Sequence, residues 1–287
     1  MIRSMTAFAD GEISVDSLTL LCELRSVNHR YADVSIKLPD RLRFAESDAR
    51  RLIGEKLKRG KIECALNYKK QTGSQHFNVN LLAVQNLLAA TQEIEGQMSN
   101  PLSFSALDIL AFPGVQQESE IDKEVLREKI ILLLEQTLDK LLETRAREGA
   151  QLAQFLADRC EKMAELVSAA EQRMPEVLNN LRQKLTARVV ELVAEPNFDR
   201  LEQELVLLSQ KLDVAEELDR LKAHGIEVLR AIKQPEPTGR RLDFLMQEMN
   251  REANTLGSKS ADRDMTQISI DLKVLIEQMR EQIQNIE

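Results

Sequence analysis

The chain has 287 residues, of which 43% are hydrophobic and 30% charged, a composition typical of a globular protein large enough for two cores. It contains no run of eighteen apolar residues and no signal-peptide pattern, so we expect neither a membrane span nor export and predict a cytoplasmic location. Tryptophan is absent and aromatic residues make up 3%, which argues against the aromatic base-stacking platform of RNA-recognition or OB domains. The cysteines, Cys22, Cys64 and Cys160, lack C-x-x-C spacing and are interpreted as core residues.

Charge is distributed unevenly along the chain, although the net charge is −8. Residues 1–75 hold 14 Lys and Arg against 10 Asp and Glu, whereas the remainder holds 25 against 37. An acidic protein can still bind nucleic acid when Lys and Arg line one surface, because these side chains contact the phosphates. The N-terminal part is therefore the expected contact surface for a polyanion.

Residues 1–118 are predicted to form an α+β domain with antiparallel strands. Alternating apolar side chains indicate half-buried strands near Leu18–Arg25, Val34–Leu38 and Ile62–Tyr68. A helical pattern from Phe44 to Leu57 lies between the last two strands. A further helix is predicted from Leu81 to Gln97, with Asn80 as its N-cap.

Strand signals end near Ile121, and the rest of the chain is predicted to be helical. Leucine-rich periodicity predicts a long helical arm over residues 119–197, in which Pro175 divides two helices or kinks one. A C-terminal helical domain is predicted over residues 198–287, with helices near Phe198–Lys233, Thr238–Leu256 and from Asp262 onward. An uncovered leucine stripe needs a partner, so we expect self-association.

The segment GRRLDFLMQEMNREANTLGSKS, Gly239–Ser260, is more polar than a core-packing helix requires. Its predicted buried stripe consists of Leu242, Leu245, Met246 and Met249. Glu248 and Glu252, four residues apart, lie on the edge of that stripe. Like charges on neighbouring turns repel unless Arg241, Arg251 or a metal offsets them. The pattern indicates either a salt-bridged solvated face or a functional pair.

A second acidic group lies in KLDVAEELDRLKAHG, where four side chains share the spacing of one helical stripe: Asp213, Glu217, Arg220 and His224. Carboxylates with an imidazole suit a divalent cation such as Mg²⁺ or Mn²⁺. Alternatively, His224 only complements a helix C-terminus. If this stripe meets Glu248 and Glu252 across a helix pair, four carboxylates face one cavity.

A third group lies in LRSVNHRY, Leu24–Tyr31, at the junction between two predicted strands. Its polar side chains are Arg25, Asn28, His29 and Arg30. This mixture suits phosphate capture, because arginine offers bidentate donors. The alternative is a polar hairpin turn. The helix and strand that follow are rich in cations, among them Arg59 and Lys61.

Four blocks of sequence carry a family resemblance. They are SMTAFA at Ser4–Ala9, ELRSVNHRY at Glu23–Tyr31, RGKIEC at Arg59–Cys64 and the segment Gly239–Ser260. Together they resemble the YicC/YloC family of bacterial proteins, and the closing run from Leu272 resembles its enterobacterial type. The first block departs from the family's SMTGFG pattern at Ala7 and Ala9, which argues against a glycine-dependent turn there.

The resemblance implies a YicC-like N-terminal domain joined to a helical C-terminal domain, assembled as a ring-like homo-oligomer, a hexamer. It also implies an endoribonuclease that requires a divalent metal and acts in small-RNA turnover and the stress response. It assigns no catalytic residues, so we place roles by chemistry. The expected ligands of Mn²⁺ or Mg²⁺ are Asp213, Glu217, Glu248, Glu252 and His224.

The hypothesis is metal-assisted hydrolysis of single-stranded or small regulatory RNA, with Glu248, Glu252 and His224 as catalytic groups. A competing chemistry uses His29 as the base for attack by the RNA 2′-hydroxyl, without metal. The expected contacts to the RNA backbone are Arg25, Asn28, His29, Arg30, Arg59, Lys61, Arg240, Arg241, Arg251, Asn254 and Lys259.

Two functions of another class remain open. A non-enzymatic RNA-binding adaptor that presents small RNAs to other RNA-turnover proteins would use the same basic surface, and its acidic pairs would be structural. A purely structural helical assembly protein would show no salt-dependent RNA binding.

Overall fold

A computed structural model of the protein describes residues 2–70, 78–117, 122–192, 197–234 and 238–286. The strands are β1 (Ala7–Val15), β2 (Leu18–Val27), β3 (Ala32–Lys37), β4 (Gly60–Lys70), β5 (Asn78–Val79) and β6 (Gln116–Gln117). The helices are α1 (Glu46–Lys56), α2 (Leu81–Glu95), α3 (Ala106–Leu110), α4 (Lys123–Leu192), α5 (Phe198–Leu212), α6 (Ala215–Ala231), α7 (Gly239–Lys259) and α8 (Arg263–Ile283). This order confirms the predicted α+β class with a long helix and a helical C-terminal region.

The main sheet has the strand order β1-β2-β4-β3. Strands β1, β2 and β4 are antiparallel, whereas β3 runs parallel to β4, because a 3₁₀ turn (Asp40–Ala45) and α1 form the crossover between them. Strand β1 was not predicted. Its inward side chains Ala7 and Ala9 are small, and a Cβ added at Gly11 would lie 2.5 Å from the Thr137 hydroxyl. The close approach of α4 therefore hides the usual apolar strand signal.

Helix α4 belongs to both hydrophobic cores. Its first half, from Leu126 to Leu141, packs with α1 and the inner face of the sheet. Its second half, from Leu156 to Val177, packs with α6, α7 and α8. The leucine stripe is thus covered by the chain itself over most of its length, and self-association stays a prediction. The proposed boundaries at 1–118, 119–197 and 198–287 stay predictions.

The structure excludes one of the two alternatives for Pro175, a division between two helices, and it differs from one predicted helix. Helix α4 continues through Pro175, because Ala170 and Val177 on either side remain buried in the core and offset the lost backbone hydrogen bond. The helix predicted from Phe198 to Lys233 is two helices, since the backbone is extended at Asp213. The Asp213 carboxylate accepts a hydrogen bond from the Ala215 N–H at 3.0 Å, a capping role that competes with helix continuation.

The three cysteines are free and buried, which confirms their interpretation as core residues. Burial raises the pKa of the Cys160 thiol to about 11. Over the described ranges, no helix combines the length and the apolar character that crossing a bilayer requires.

The last residues of the chain join the two halves of the molecule. Residues Gln284–Ile286, called the C-terminal turn below, follow α8. The Met5 N–H donates to the Asn285 carbonyl at 2.8 Å, and Ser4 forms a β-bridge with Ile286. The buried Arg145 guanidinium donates to the Ser4 carbonyl at 2.5 Å. The SMT block thus lies between the sheet, α4 and the C-terminal turn.

Candidate functional site

Helices α6 and α7 pack as an antiparallel pair whose polar edges face each other across a groove. Arg220 Nη1 lies 3.2 Å from Glu252 Oε1, and Lys259 Nζ lies 2.8 Å from Glu217 Oε1. Arg241 pairs with Glu227 at the other end of the groove. We call this arrangement the α6–α7 ladder. Its rungs are Glu217–Lys259, Arg220–Glu252, His224–Glu248 and Glu227–Arg241.

The third rung follows from the register of the other three. His224 lies four residues after Arg220, and Glu248 lies four residues before Glu252, so the antiparallel helices place His224 and Glu248 at the same level. Both side chains are half-buried. Within the ranges that the structure describes, neither makes a hydrogen bond or an ion pair. We call His224 and Glu248 the open rung, because the other three rungs are closed by ion pairs.

Two carboxylates of the ladder are largely removed from water. The side chain of Glu252 is 4% exposed, and that of Glu217 is almost as buried. The hydrogen bond to Glu252, with the nearby charge of Glu216, raises the pKa of the Arg220 guanidinium above its usual value. Glu217 Oε2 is buried without a hydrogen-bond partner. Cations therefore already engage the two carboxylates that burial would otherwise make costly.

The predicted metal ligands do not all come together within one chain. The Asp213 carboxylate caps the start of α6, and cations hold Glu217 and Glu252, so the four carboxylates do not face one cavity. No group of three or more His, Cys, Asp or Glu side chains that could hold a metal occurs in the described part of the chain. Of the five predicted ligands, Glu248 and His224 are the two whose side chains make no hydrogen bond or ion pair with the described residues. This pair fits the way Mg²⁺ or Mn²⁺ is held when water and a substrate phosphate complete the coordination.

The basic loop between β2 and β3, residues 28–31, is not a hairpin turn, because β4 lies between these strands. The Asn28 amide donates to the Gln284 carbonyl at 2.6 Å, which fastens the loop to the C-terminal turn. In the exposed His29 ring, Nδ1 lies 3.0 Å from the Tyr31 carbonyl oxygen and 3.4 Å from the Tyr31 nitrogen, so the ring tautomer decides whether it donates or accepts. Arg59 donates to the His29 carbonyl at 3.4 Å. Arg30 lies over the Tyr31 ring, 5.2 Å from its centroid.

Two of the predicted RNA contacts lie on the open face of the sheet. Arg25 stands opposite Phe8 on β1 and Glu63 on β4, in a depression of about 490 Å³. Lys61 pairs with Glu63 at 3.4 Å. This face is separate from the α6–α7 ladder and carries both signs of charge.

The predicted contacts on α7 divide between different faces. Arg241 and Lys259 belong to closed rungs of the ladder, and Asn254 donates to Asn250 at 2.8 Å. Arg240 and Arg251 are exposed, and neither guanidinium has a partner among the described residues. They therefore remain available for an external anion.

The C-terminal turn brings sequence blocks together that lie far apart in the chain. It accepts hydrogen bonds from Met5 and Asn28, and a Cβ added at Gly239 would lie 2.7 Å from the Ile286 carbonyl oxygen. Sequence reasoning missed this junction, because its contacts use backbone carbonyls that have no sequence signature. The fold and these sites define an α+β protein in which a basic N-terminal loop is bonded to the C-terminal turn and the helical region carries an unpaired carboxylate and imidazole.

Comparison with known proteins identifies the family. A family model described as "Endoribonuclease YicC-like, N-terminal region" matches residues 2–154, and one described as "Endoribonuclease YicC-like, C-terminal" matches residues 170–287. The chain therefore belongs to the endoribonuclease YicC-like family. It is 38% identical over 288 residues to a protein of Haemophilus influenzae and 34% identical over 295 residues to one of Clostridioides difficile, both named "Probable endoribonuclease YicC". Each similarity covers 100% of both chains.

Proposed function

We propose that the protein is an endoribonuclease that cleaves single-stranded or small regulatory RNA with a divalent cation. The observation that carries the proposal is the open rung, His224 and Glu248, in a groove whose other rungs are closed. The names of the two relatives support the reaction class. A phosphodiester-cleaving site needs groups that are free to meet the reacting phosphate, and ion-paired side chains are not free.

The charge of the groove supports a role for a cation. Its side chains include five carboxylates, Glu216, Glu217, Glu227, Glu248 and Glu252, and three cations, Arg220, Arg241 and Lys259. The groove is thus acidic, and an RNA phosphate approaching it would be repelled. Glu248 and His224 would hold Mn²⁺ or Mg²⁺ together with the RNA phosphate. The cation, when bound, would offset this repulsion and lower the pKa of an attacking water.

The remaining side chains position the substrate. Arg220 and Lys259 keep Glu252 and Glu217 neutralised, so Glu248 is the carboxylate left to face the phosphate. Arg240 and Arg251 on the exposed ridge of α7 bind the RNA backbone, since each offers a free guanidinium fork. Arg30 of the basic loop and Arg59, which donates to the His29 carbonyl, hold a neighbouring part of the same RNA strand. Along α7, Gly239 at the C-terminal turn is nine residues from Glu248, roughly 14 Å.

The test compares Glu248→Gln and His224→Asn with Glu281→Gln, which removes an exposed carboxylate from α8. Cleavage of an end-labelled single-stranded RNA is measured across a Mn²⁺ titration, with circular dichroism to confirm folding. We expect both ladder variants to lose at least about 100-fold in rate and the control to match the wild type.

Wild-type rates for both ladder variants would show that the site lies elsewhere. If the wild type bound RNA in a salt-dependent manner but never cut it, the non-enzymatic adaptor would be the better reading. Because a contaminating nuclease would not follow a point substitution, loss of cleavage in Glu248→Gln also excludes contamination. End-group analysis separates the two chemistries: water attack leaves a 5′-phosphate, whereas attack by the 2′-hydroxyl with His29 as base leaves a 5′-hydroxyl.

We also propose that the protein is a homo-oligomer, with a hexamer as the expected form, and that residues 78–117 form the contact. Helices α2 and α3 bury no residue, and β5 and β6 pair with each other outside the main sheet. The segment has three charged residues, Glu93, Glu95 and Asp108. Its exposed apolar side chains include Leu81, Leu82, Ile94, Leu102 and Leu107. Such a charge-poor, apolar surface is typical of the buried part of an interface.

A further inference from the structure

Three exposed aromatic rings lie beside exposed arginines, although the chain is poor in aromatic residues. Phe8, Tyr31 and Phe244 are 55%, 63% and 58% exposed. Phe8 stands opposite Arg25 in the register of β1 and β2. Arg30 lies over the Tyr31 ring, while Phe244 shares the exposed ridge of α7 with Arg240, four residues before it, and Arg251, seven residues after it. An aromatic ring is costly to leave exposed to water, and each of these three rings has an exposed arginine as its neighbour.

The three rings lie on segments that meet at the C-terminal turn. Phe8 is three residues from Met5, and Tyr31 is three residues from Asn28, so each lies within roughly 11 Å of chain from a residue bonded to that turn. Phe244 is five residues along α7 from Gly239, a rise of roughly 8 Å. Gly239 is itself packed against the Ile286 carbonyl. The segments that carry the three rings and at least four arginines therefore meet at one turn.

An aromatic ring beside an arginine suits an unpaired nucleotide. The base stacks on the ring, and the guanidinium contacts the adjoining phosphate, so the two groups recognise the two parts of one nucleotide. Bases in a duplex are already stacked and cannot lie against a side chain. Such a surface therefore distinguishes single strands from duplexes without reading their sequence.

We propose that Phe8, Tyr31 and Phe244 are base-stacking residues for single-stranded RNA, placed around the C-terminal turn so that one strand crosses from the sheet and basic loop onto α7. The identity of the ligand as RNA rests on the proposed function. The stacking surface itself is defined by the three rings and their arginines, not by the catalytic groove. Rigid aromatic contacts at separate points select an extended, unpaired strand and orient it along α7 toward the open rung.

Binding is measured without divalent cation, so that no RNA is cut. The probes are a labelled 12-nucleotide RNA, an abasic strand of the same length and the corresponding duplex. We expect the wild type to bind the base-containing strand roughly 5- to 100-fold more tightly than the abasic strand. Phe8→Leu, Tyr31→Leu and Phe244→Leu should each weaken binding of the base-containing strand at least about fivefold and leave binding of the abasic strand unchanged. Tyr31→Phe and Phe244→Tyr should retain wild-type affinity.

The matched control is Phe198→Leu, an exposed phenylalanine on α5. It should leave every affinity unchanged. Arg240→Gln and Arg251→Gln should each lower the slope of affinity against salt by about one, whereas the three leucine variants should not change that slope. This difference separates loss of stacking from loss of phosphate contact.

Equal wild-type affinity for the base-containing and abasic strands, or wild-type affinity in all three leucine variants, would overturn the stacking proposal. Cleavage would then still be decided by Glu248→Gln, so the ribonuclease function could stand while this inference fails. Conversely, a protein that prefers base-containing strands but never cuts them would support stacking and contradict the nuclease.

Discussion

Arg220 and Glu252 form an unequal ion pair across the groove between α6 and α7. The Arg220 side chain is 50% exposed, whereas the Glu252 side chain, 3.2 Å away, is almost completely buried. Arg220 also contacts Glu216 on its own helix. The buried carboxylate thus depends on a guanidinium that reaches in from the surface, and Glu248, one turn away, is left as a carboxylate without a partner among the described residues.

Removing the cation of this pair should destabilise the fold. In Arg220→Met the buried Glu252 keeps its charge without a partner, so we expect the free energy of unfolding to fall by about 1–3 kcal/mol, less than for a fully buried pair because water reaches the site. Urea denaturation measures this change in the free energy of unfolding. Adding Glu252→Gln to Arg220→Met should restore part of the loss.

The control is Arg188→Met, which breaks an exposed pair with Glu191 at the end of α4. It should change stability by less than about 1 kcal/mol. Equal losses in the two variants would mean that burial of Glu252 does not set the strength of its ion pair.

A second prediction concerns acid stability at the start of α8. The Arg173 guanidinium bonds to Asp262 at 3.1 and 3.3 Å, and this contact holds the pKa of the Asp262 carboxyl below its usual value. A depressed pKa in the folded state stabilises the protein above the unfolded pKa, about 3.9. That stabilisation is lost as the pH falls through the lower folded value.

Asp262→Asn should therefore reduce stability at pH 7 and flatten the decline below about pH 4. Asp262 is also the N-cap of α8, since it accepts from the Met265 N–H. Asparagine keeps the capping oxygen, so the pH-dependent part is isolated. Thermal unfolding from pH 3 to 7 measures the stability at neutral pH and its decline in acid. If Asp262→Asn lost stability below about pH 4 as steeply as the wild type, the assignment to Asp262 would be refuted.

The sequence predicted those features of the site that depend on one helix alone. Helical periodicity placed Glu248 on the half-buried edge of the α7 stripe, because the angle between residues is fixed within a helix, whereas Glu252, expected on the same edge, is buried. The partner of Glu252 is set by the register between two helices, and periodicity carries no information about that register. Asp213 was assigned to the wrong side of a helix break, since an aspartate at a cap and one within a helix have the same spacing.

Larger features were missed for a similar reason. Strand β1 has small inward residues because α4 approaches closely, and only the packed structure reveals that contact. The aromatic content argued against a base-stacking platform, whereas the stacking proposed above rests on the positions of Phe8, Tyr31 and Phe244 and not on their number. Composition reports an average over the chain, whereas a binding surface needs only a few side chains in one place.

A third prediction contrasts two helical glycines. A Cβ at Gly149 in α4 would lie 2.2 Å from the Ile2 carbonyl oxygen, a backbone atom that cannot move aside cheaply, whereas a Cβ at Gly54 in α1 would meet nothing within 4 Å. We expect Gly149→Ala to cost about 1–3 kcal/mol or more and Gly54→Ala to gain about 0.5–1 kcal/mol.

The melting temperature should therefore fall for Gly149→Ala and rise for Gly54→Ala. A change of 1 kcal/mol corresponds to roughly 2–4 °C for a chain of this size class. Gly149→Ala should also loosen the SMT block, because Ile2 and Ser4 adjoin the same turn of α4. Faster hydrogen exchange at the Met5 amide would report this, and a stable Gly149→Ala protein with wild-type exchange would show that the contact is not tight.

The final prediction tests which apolar surface holds the oligomer together. Leu82 on α2 and Leu107 on α3 are strongly exposed, and neither helix packs into either core. If residues 78–117 lie between subunits, Leu82→Glu and Leu107→Glu place an unpaired carboxylate in an apolar contact that repeats at every copy. The oligomer should then dissociate at concentrations at least about tenfold higher than the wild type, measured by analytical ultracentrifugation.

Leu192→Glu, at an exposed leucine near the end of α4, supplies the matched control and should remain assembled. Dissociation of Leu192→Glu alone would move the contact to the tip of α4, where Val190 and Leu192 also expose apolar side chains.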